Sequence, residues 1–88
     1  MKVQFSTQFA KDARKLPNNI KTVLKELVVS IEKARTLFEI RDCKPLAGLK
    51  NGYRIRRGDY RITLSLIIKE NVVILLRVLQ RGQICKKI

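Results

Sequence analysis

The ten residues "YRIRRGDYRI" (53–62) leave the backbone little choice. Apolar and basic side chains alternate on both sides of Gly58-Asp59, and a period of two is the mark of a half-buried strand. A two-residue turn with glycine first is the type II′ case, whose twist matches that of the strands it joins. Such a turn pairs 57 with 60, 56 with 61, 55 with 62 and 53 with 64. Ile55 then meets Ile62 and Tyr53 meets Leu64 on a core face. Arg56 meets Arg61 on the opposite face, with Arg54 beside Thr63.

Strands are expected over about 53–57, 60–69 and 72–80, and the second hairpin can be tested in the same way. A two-residue turn at Glu70-Asn71 would set Leu64 against Arg77 and bury that charge. A three-residue loop, Lys69-Glu70-Asn71, aligns Leu64 with Leu76 and Ile62 with Val78 instead. Asparagine suits it, because it tolerates the left-handed conformation that such loops need. This register puts Arg77 next to Thr63 and Leu79 next to Arg61. Arg54, Arg56, Arg61, Arg77 and, further along, Arg81 are therefore expected on one sheet face.

Like charges directly opposite one another weaken a sheet. An ordinary solvated face would be served as well by lysine, threonine or glutamate, and glutamate is absent here. Arginine adds a planar fork that donates paired hydrogen bonds to a phosphate and keeps its proton at neutral pH. Those properties suit it to clamping a phosphodiester or stabilising a developing dianion, and make it a poor general base.

The remainder of the chain supplies the other layer. In "MKVQFS", Val3 and Phe5 alternate with polar residues as in a half-buried strand. Ser6 or Thr7 can cap a helix through "TQFAKDARKL", with Phe9, Ala13 and Leu16 on one stripe. Pro17 ends it, and Asn18 or Asn19 can cap a second helix running to about residue 35. Ile20, Val23, Leu24, Leu27, Val28, Ile31 and Ala34 keep its 3.6-residue period. Residues 36–50, with Pro45 and Gly48, read as a connection holding at most a short strand or turn. The expected fold is a single α+β domain over 1–88: strand, helical hairpin, then an antiparallel three-strand meander with the helices on one sheet face.

Charge narrows the function. The 88 residues hold 20 basic and 7 acidic side chains, a net charge of +13. Residues 1–40 carry eight basic and four acidic groups, or +4, and residues 41–88 carry twelve and three, or +9. Such an excess opposes compaction and points to a polyanionic partner or an acidic protein that shields it. The apolar runs "SLII" and "VVILL" are too short to span a bilayer, and the first apolar window is unlike a signal peptide. A cytoplasmic chain without membrane association is expected. Cys43 and Cys85 have no histidine or CxxC companion, so reduced thiols are expected, with neither metal nor other cofactor.

With these features the chain resembles the RelE/ParE superfamily of type II toxins. "MKVQFSTQFAKDARKLP" is similar to that family's first strand and helix, "CKPLAGLKNGYRIR" to its run into the sheet, and "YRIRRGDYRI" with "LLRVLQRGQIC" to its final strands. The RelE branch cuts messenger RNA in the ribosomal decoding site, using the substrate's own 2′-hydroxyl against the adjacent phosphate. The resemblance implies that Arg54 and Arg56 are the basic pair of the family's second strand. It likewise implies that Arg61 is the arginine of G-D-Y-R and Arg81 the one after the last strand. Arg77, Lys50 and Lys86 are further candidates for phosphate binding.

The departures gather at the C-terminus. Relatives often read H-R-K-D-x-Y where this chain has "QRGQIC", so Gln80 replaces the histidine, Gly82 the lysine, and Cys85 stands at the tyrosine. Arginines can lower a thiol's pKa, which makes Cys85 the candidate for proton transfer beside Arg61 and Arg81. The resemblance implies a ribosome-dependent endoribonuclease, with ribosome, messenger RNA and a cognate antitoxin as partners. Two other readings stay open: a ParE-like protein that inhibits DNA gyrase by binding, and a weakened toxin that chiefly binds its antitoxin. A general RNA-binding module fits poorly, because the sheet face lacks exposed aromatics on which bases could stack.

Overall fold

The computed structural model describes residues 1–80. The chain runs β1 (Lys2–Phe5), α1 (Thr7–Arg14), α2 (Asn18–Lys33), β2 (Cys43–Pro45), β3 (Gly52–Arg57), β4 (Tyr60–Ile67) and β5 (Val72–Gln80). The five strands form one sheet in the order β1-β5-β4-β3-β2. The meander β3-β4-β5 is antiparallel as expected, and the first strand joins it in parallel, Val3 opposite Val73. β2 adds a short antiparallel edge within the connection, with Lys44 opposite Arg54.

The helices begin and end where the chemistry allows. Ser6 caps α1, its hydroxyl oxygen accepting from the Phe9 N–H at 3.0 Å. The second helix is capped without a side chain: Pro17 is its N-cap and Asn18 its first residue, rather than either asparagine capping it. Leu24, Leu27 and Ile31 of α2 are buried against Ile55, Ile62, Leu64, Val73, Leu75 and Val78 of the sheet. Each fully buried aliphatic side chain contributes about 1.5–3 kcal/mol, so this seam carries much of the stability.

The first hairpin has the expected register, with Ile55 opposite Ile62 and Arg56 opposite Arg61. Gly58 has φ +58°, the left-handed position that a glycine-first turn requires. The second hairpin differs in one respect. Its connection is four residues long, Ile68 to Asn71, and Leu64 lies opposite Leu75 rather than Leu76. The register shifts between Thr63 and Leu64, so Leu76 is the extra residue of a β-bulge. Beyond it the expected pairs return: Thr63 with Arg77, Ile62 with Val78 and Arg61 with Leu79. The bulge lets β5 aim Val73 and Leu75, and then Val78, at the same core despite the odd spacing between them.

β1 ends at Phe5, and α1 covers the rest of the β5 edge. The Ser6 N–H donates to the Leu75 carbonyl at 3.0 Å, and the Ser6 hydroxyl donates to the carbonyl of the bulged Leu76 at 2.8 Å. Further along α1, Asp12 Oδ2 accepts from the Val78 N–H at 3.2 Å and from Arg77 Nε at 2.8 Å. Arg77 Nη2 reaches Asp12 Oδ1 at 3.3 Å. A helix thus answers strand groups that a further strand would otherwise pair.

Burial raises the Asp12 pKa, but hydrogen bonds from Arg77, Gln8 and the Val78 N–H, with the attraction of the guanidinium, outweigh it and hold the carboxyl below its ordinary value. A folded pKa below the unfolded one stabilises above the unfolded value of 3.8, and that stability is lost as pH falls through the folded value. Asp12→Ala is expected to cost about 1–3 kcal/mol at pH 7, because it strands the Val78 N–H and Arg77. Urea midpoints measured from pH 6 to pH 2 check this: the variant should lose less stability on acidification than the parent.

Candidate nucleic-acid interface

Alternation along β3 and β4 decides which side chains share the face away from α2. Ile55, Ile62 and Leu64 are completely buried, so their neighbours Arg54, Arg56, Arg61 and Thr63 point the other way. Strand pairing arranges these into two ranks. Lys44, Arg54, Thr63 and Arg77 lie side by side across β2 to β5, and Arg56, Arg61 and Leu79 form the next rank. The ranks are two residues apart, about 6.6 Å along the strands, and neighbours within a rank are about 4.8 Å apart.

The cations on this face are not equivalent. Among the described residues, Lys44, Arg54, Arg56 and Arg61 have no ion-pair partner, whereas Arg77 is bound to Asp12. Arg56 and Arg61 stand directly opposite each other, and with Gly58, Asp59 and Tyr60 they line a depression of about 20 Å³. That volume admits one water-sized group, such as a phosphate oxygen. Tyr60 both packs against the core and lines this depression.

The fourth arginine of the opening stretch behaves differently. Arg57 lies on the helix side and donates from Nη1 to the carbonyls of Arg41 and Arg56, at 2.7 and 2.8 Å. Burial, and then the charge of Arg41, lower its pKa, yet a guanidinium so perturbed still holds its proton at neutral pH. Cys43, on β2, is a free thiol; burial pushes its pKa up against the pull of Arg57.

The structure brings together Arg54, Arg56 and Arg61 of the expected site. Lys50 lies in the loop between β2 and β3, at the end of β3 away from Arg56. Arg81, Cys85 and Lys86, like Gly82, lie outside the described residues. Gln80 ends β5 opposite Tyr60, at the same end of the sheet as Arg56 and Arg61. Sequence reasoning missed Lys44, because nothing in "CKP" announces a strand, and missed Asp12, whose partner is 65 residues away.

The fold and this face define a small α+β protein with a cationic sheet face and a helical hairpin behind it. Residues 3–85 match the family model described as the ParE toxin of a type II toxin-antitoxin system, parDE. Toxin RelE3 of Methanocaldococcus jannaschii is 34% identical over 85 residues, covering 96% of this chain and 94% of the relative. In the RelB-RelE antitoxin-toxin complex from Methanococcus jannaschii, one chain superposes with a TM-score of 0.83 at 30% identity, over 96% of both chains. A chain of the archaeal RelE-RelB complex from Pyrococcus horikoshii does so at 0.78 and 28% identity, over 93% of this chain and 96% of that one. The chain belongs to the RelE/ParE superfamily and is a RelE-like toxin of a type II toxin-antitoxin system.

Facing like charges should cost about 0.2–1 kcal/mol. Arg56→Thr is therefore expected to raise the urea midpoint slightly while weakening binding to single-stranded nucleic acid, a trade that paired denaturation and binding titrations would reveal.

Proposed function

We propose that this toxin is a ribosome-dependent endoribonuclease that holds messenger RNA on the face formed by Lys44, Arg54, Arg56 and Arg61. The observation that carries the reading is the pairing of Arg56 with Arg61, two cations placed face to face and, among the described residues, in no ion pair. In such a reaction the 2′-hydroxyl attacks the adjacent phosphorus in line, the bond to the 5′-oxygen of the next nucleotide breaks, and a 2′,3′-cyclic phosphate forms. Charge builds on the non-bridging oxygens as this happens. Guanidiniums fixed on strands stabilise that charge without reorganising. Arg61 serves as the main stabiliser at the depression, with Arg54 and Arg56 holding the flanking phosphates. Arg81 and Cys85 remain the candidates for completing the site and for proton transfer, and Lys86 for a further phosphate contact.

A second reading, gyrase inhibition by binding, is favoured by the match to a ParE family model and by the departures at Gln80, Gly82 and Cys85. One experiment separates the two. The protein is added to translating ribosomes and messenger cleavage is mapped by primer extension, with a gyrase supercoiling assay run in parallel. Codon-phased cuts that fall at least 100-fold in Arg61→Ala are expected, from a loss of about 2.7–4 kcal/mol of charge stabilisation. Intact messenger with inhibited supercoiling would sink the endonuclease. Cys85→Tyr should raise cleavage if proton transfer limits the rate.

The partner that restrains the toxin is read from the other side of the molecule. Phe5, Phe9, Ala13, Leu24, Val28 and Val29 line an apolar groove of about 610 Å³ between α1 and α2. Phe5 is 54% exposed and Val29 45% exposed, and the charged groups at the groove are Arg14, Lys21 and Lys25. A cognate antitoxin would lay an acidic amphipathic helix there. Val29→Asp is expected to weaken that complex about 10- to 100-fold by calorimetry, the equivalent of one lost apolar anchor. Affinity indifferent to salt would contradict the acidic character of the helix.

A further inference from the structure

The five basic side chains across β2 to β5 present a boundary as well as a surface. Four are without an ion-pair partner among the described residues, and the fifth, Arg77, is bound to Asp12 through two nitrogens at 2.8 and 3.3 Å. The pair is also partly enclosed: the Asp12 side chain is 11% exposed and that of Arg77 34%. Asp12 cannot turn away to release Arg77 without also giving up the Val78 N–H, which it accepts at 3.2 Å. Ser6, at the start of the same helix, is tied to the carbonyls of Leu75 and Leu76, so α1 is fixed to β5 on both sides of Arg77.

We propose that Asp12 withdraws Arg77 from the set of phosphate ligands, so that the anion track ends at β4 and is made by Lys44, Arg54, Arg56 and Arg61. Asp12 is then a positioning residue, and Arg77 joins α1 to the last strand. The physical reason is competition. A carboxylate that is already desolvated and held by three donors is a better partner for Arg77 than a phosphate that would have to shed water to reach it. Among the described residues, Arg54 and Arg56 are in no ion pair. The proposal rests on the reading of this face as a nucleic-acid surface, and it concerns which cations take part.

The test follows the arginine Nε–H signals by NMR while a 2′-deoxy single-stranded oligonucleotide of roughly ten nucleotides is titrated into the full chain. The signals of Arg54, Arg56 and Arg61 are expected to move, and that of Arg77 to stay in place. Binding is then measured against salt for three variants. Arg61→Gln should lower the slope of log affinity on log salt by about 0.7, the share of one phosphate contact on a single strand. Arg77→Gln should leave the slope unchanged. Asp12→Asn should release Arg77, steepen the slope by about 0.7 and tighten binding about threefold at low salt. That gain should vanish in the Asp12→Asn, Arg77→Gln double variant. If Asp12→Asn does not fold, the NMR titration and Arg77→Gln decide alone.

An Arg77 signal that moves with that of Arg61, or an Arg77→Gln slope as shallow as that of Arg61→Gln, would overturn the boundary and leave the face itself standing. A folded Asp12→Asn variant with unchanged affinity would do the same. Failure of the oligonucleotide to move any arginine would instead overturn the nucleic-acid reading of the face, and the boundary with it.

Discussion

The turn at Gly58-Asp59 is the constraint on which the sheet depends. Glycine at +58° closes β3 onto β4 with a single register, and a strand cannot slip by one residue without exchanging its two faces. In this chain such an exchange would bury Arg54, Arg56 and Arg61 and expose Ile55, Ile62 and Leu64. Burying three unpaired guanidiniums is so unfavourable that the register is held from both sides. The same alternation that protects the core therefore gathers the cations. The core and the cationic face share one hairpin, and the repulsion between Arg56 and Arg61 is a local cost set against the burial beneath them.

Strand β5 solves a harder problem. It must pair with β4 along its whole length, accept β1 on its other side, and continue past the point where β1 ends. The bulge at Leu76 falls where the partner on that side changes from a strand to a helix. There, Ser6 and Asp12 take over the hydrogen bonding of the strand edge, and Arg77 closes the joint with its charge. A cation in the same rank as Lys44 and Arg54 is thereby tied to α1. On the opposite side of the molecule the two helices leave an apolar groove bordered by lysine and arginine. The two surfaces differ in character, one a cationic strand face and the other an apolar cleft.

Particular elements show why some of this was legible in the sequence. Gly58-Asp59 and the period of two around it announced the hairpin, its register and the faces of Arg54, Arg56 and Arg61. The 3.6-residue repeat of Leu24, Leu27 and Ile31 announced α2 and its buried stripe. Lys44 escaped notice because a three-residue strand containing proline has no pattern of its own and exists only by pairing with β3. The bulge escaped because "VVILLRVLQ" is apolar on both phases of the alternation up to Arg77. Either register satisfies such a run until the loop length is known.

What the sequence determined by itself was local: the tight turn, the amphipathic helix, the sidedness of each strand and the excess of positive charge. These follow from periodicities and backbone preferences that act over a few residues. Which cations remain available was decided only by tertiary structure, because it depends on groups far apart in the chain. Asp12 on α1 reaches Arg77 on β5, and Lys44 on β2 comes beside Arg54. Two arginines of equal intrinsic chemistry, Arg61 and Arg77, thus differ in their surroundings because packing brings a carboxylate to one of them.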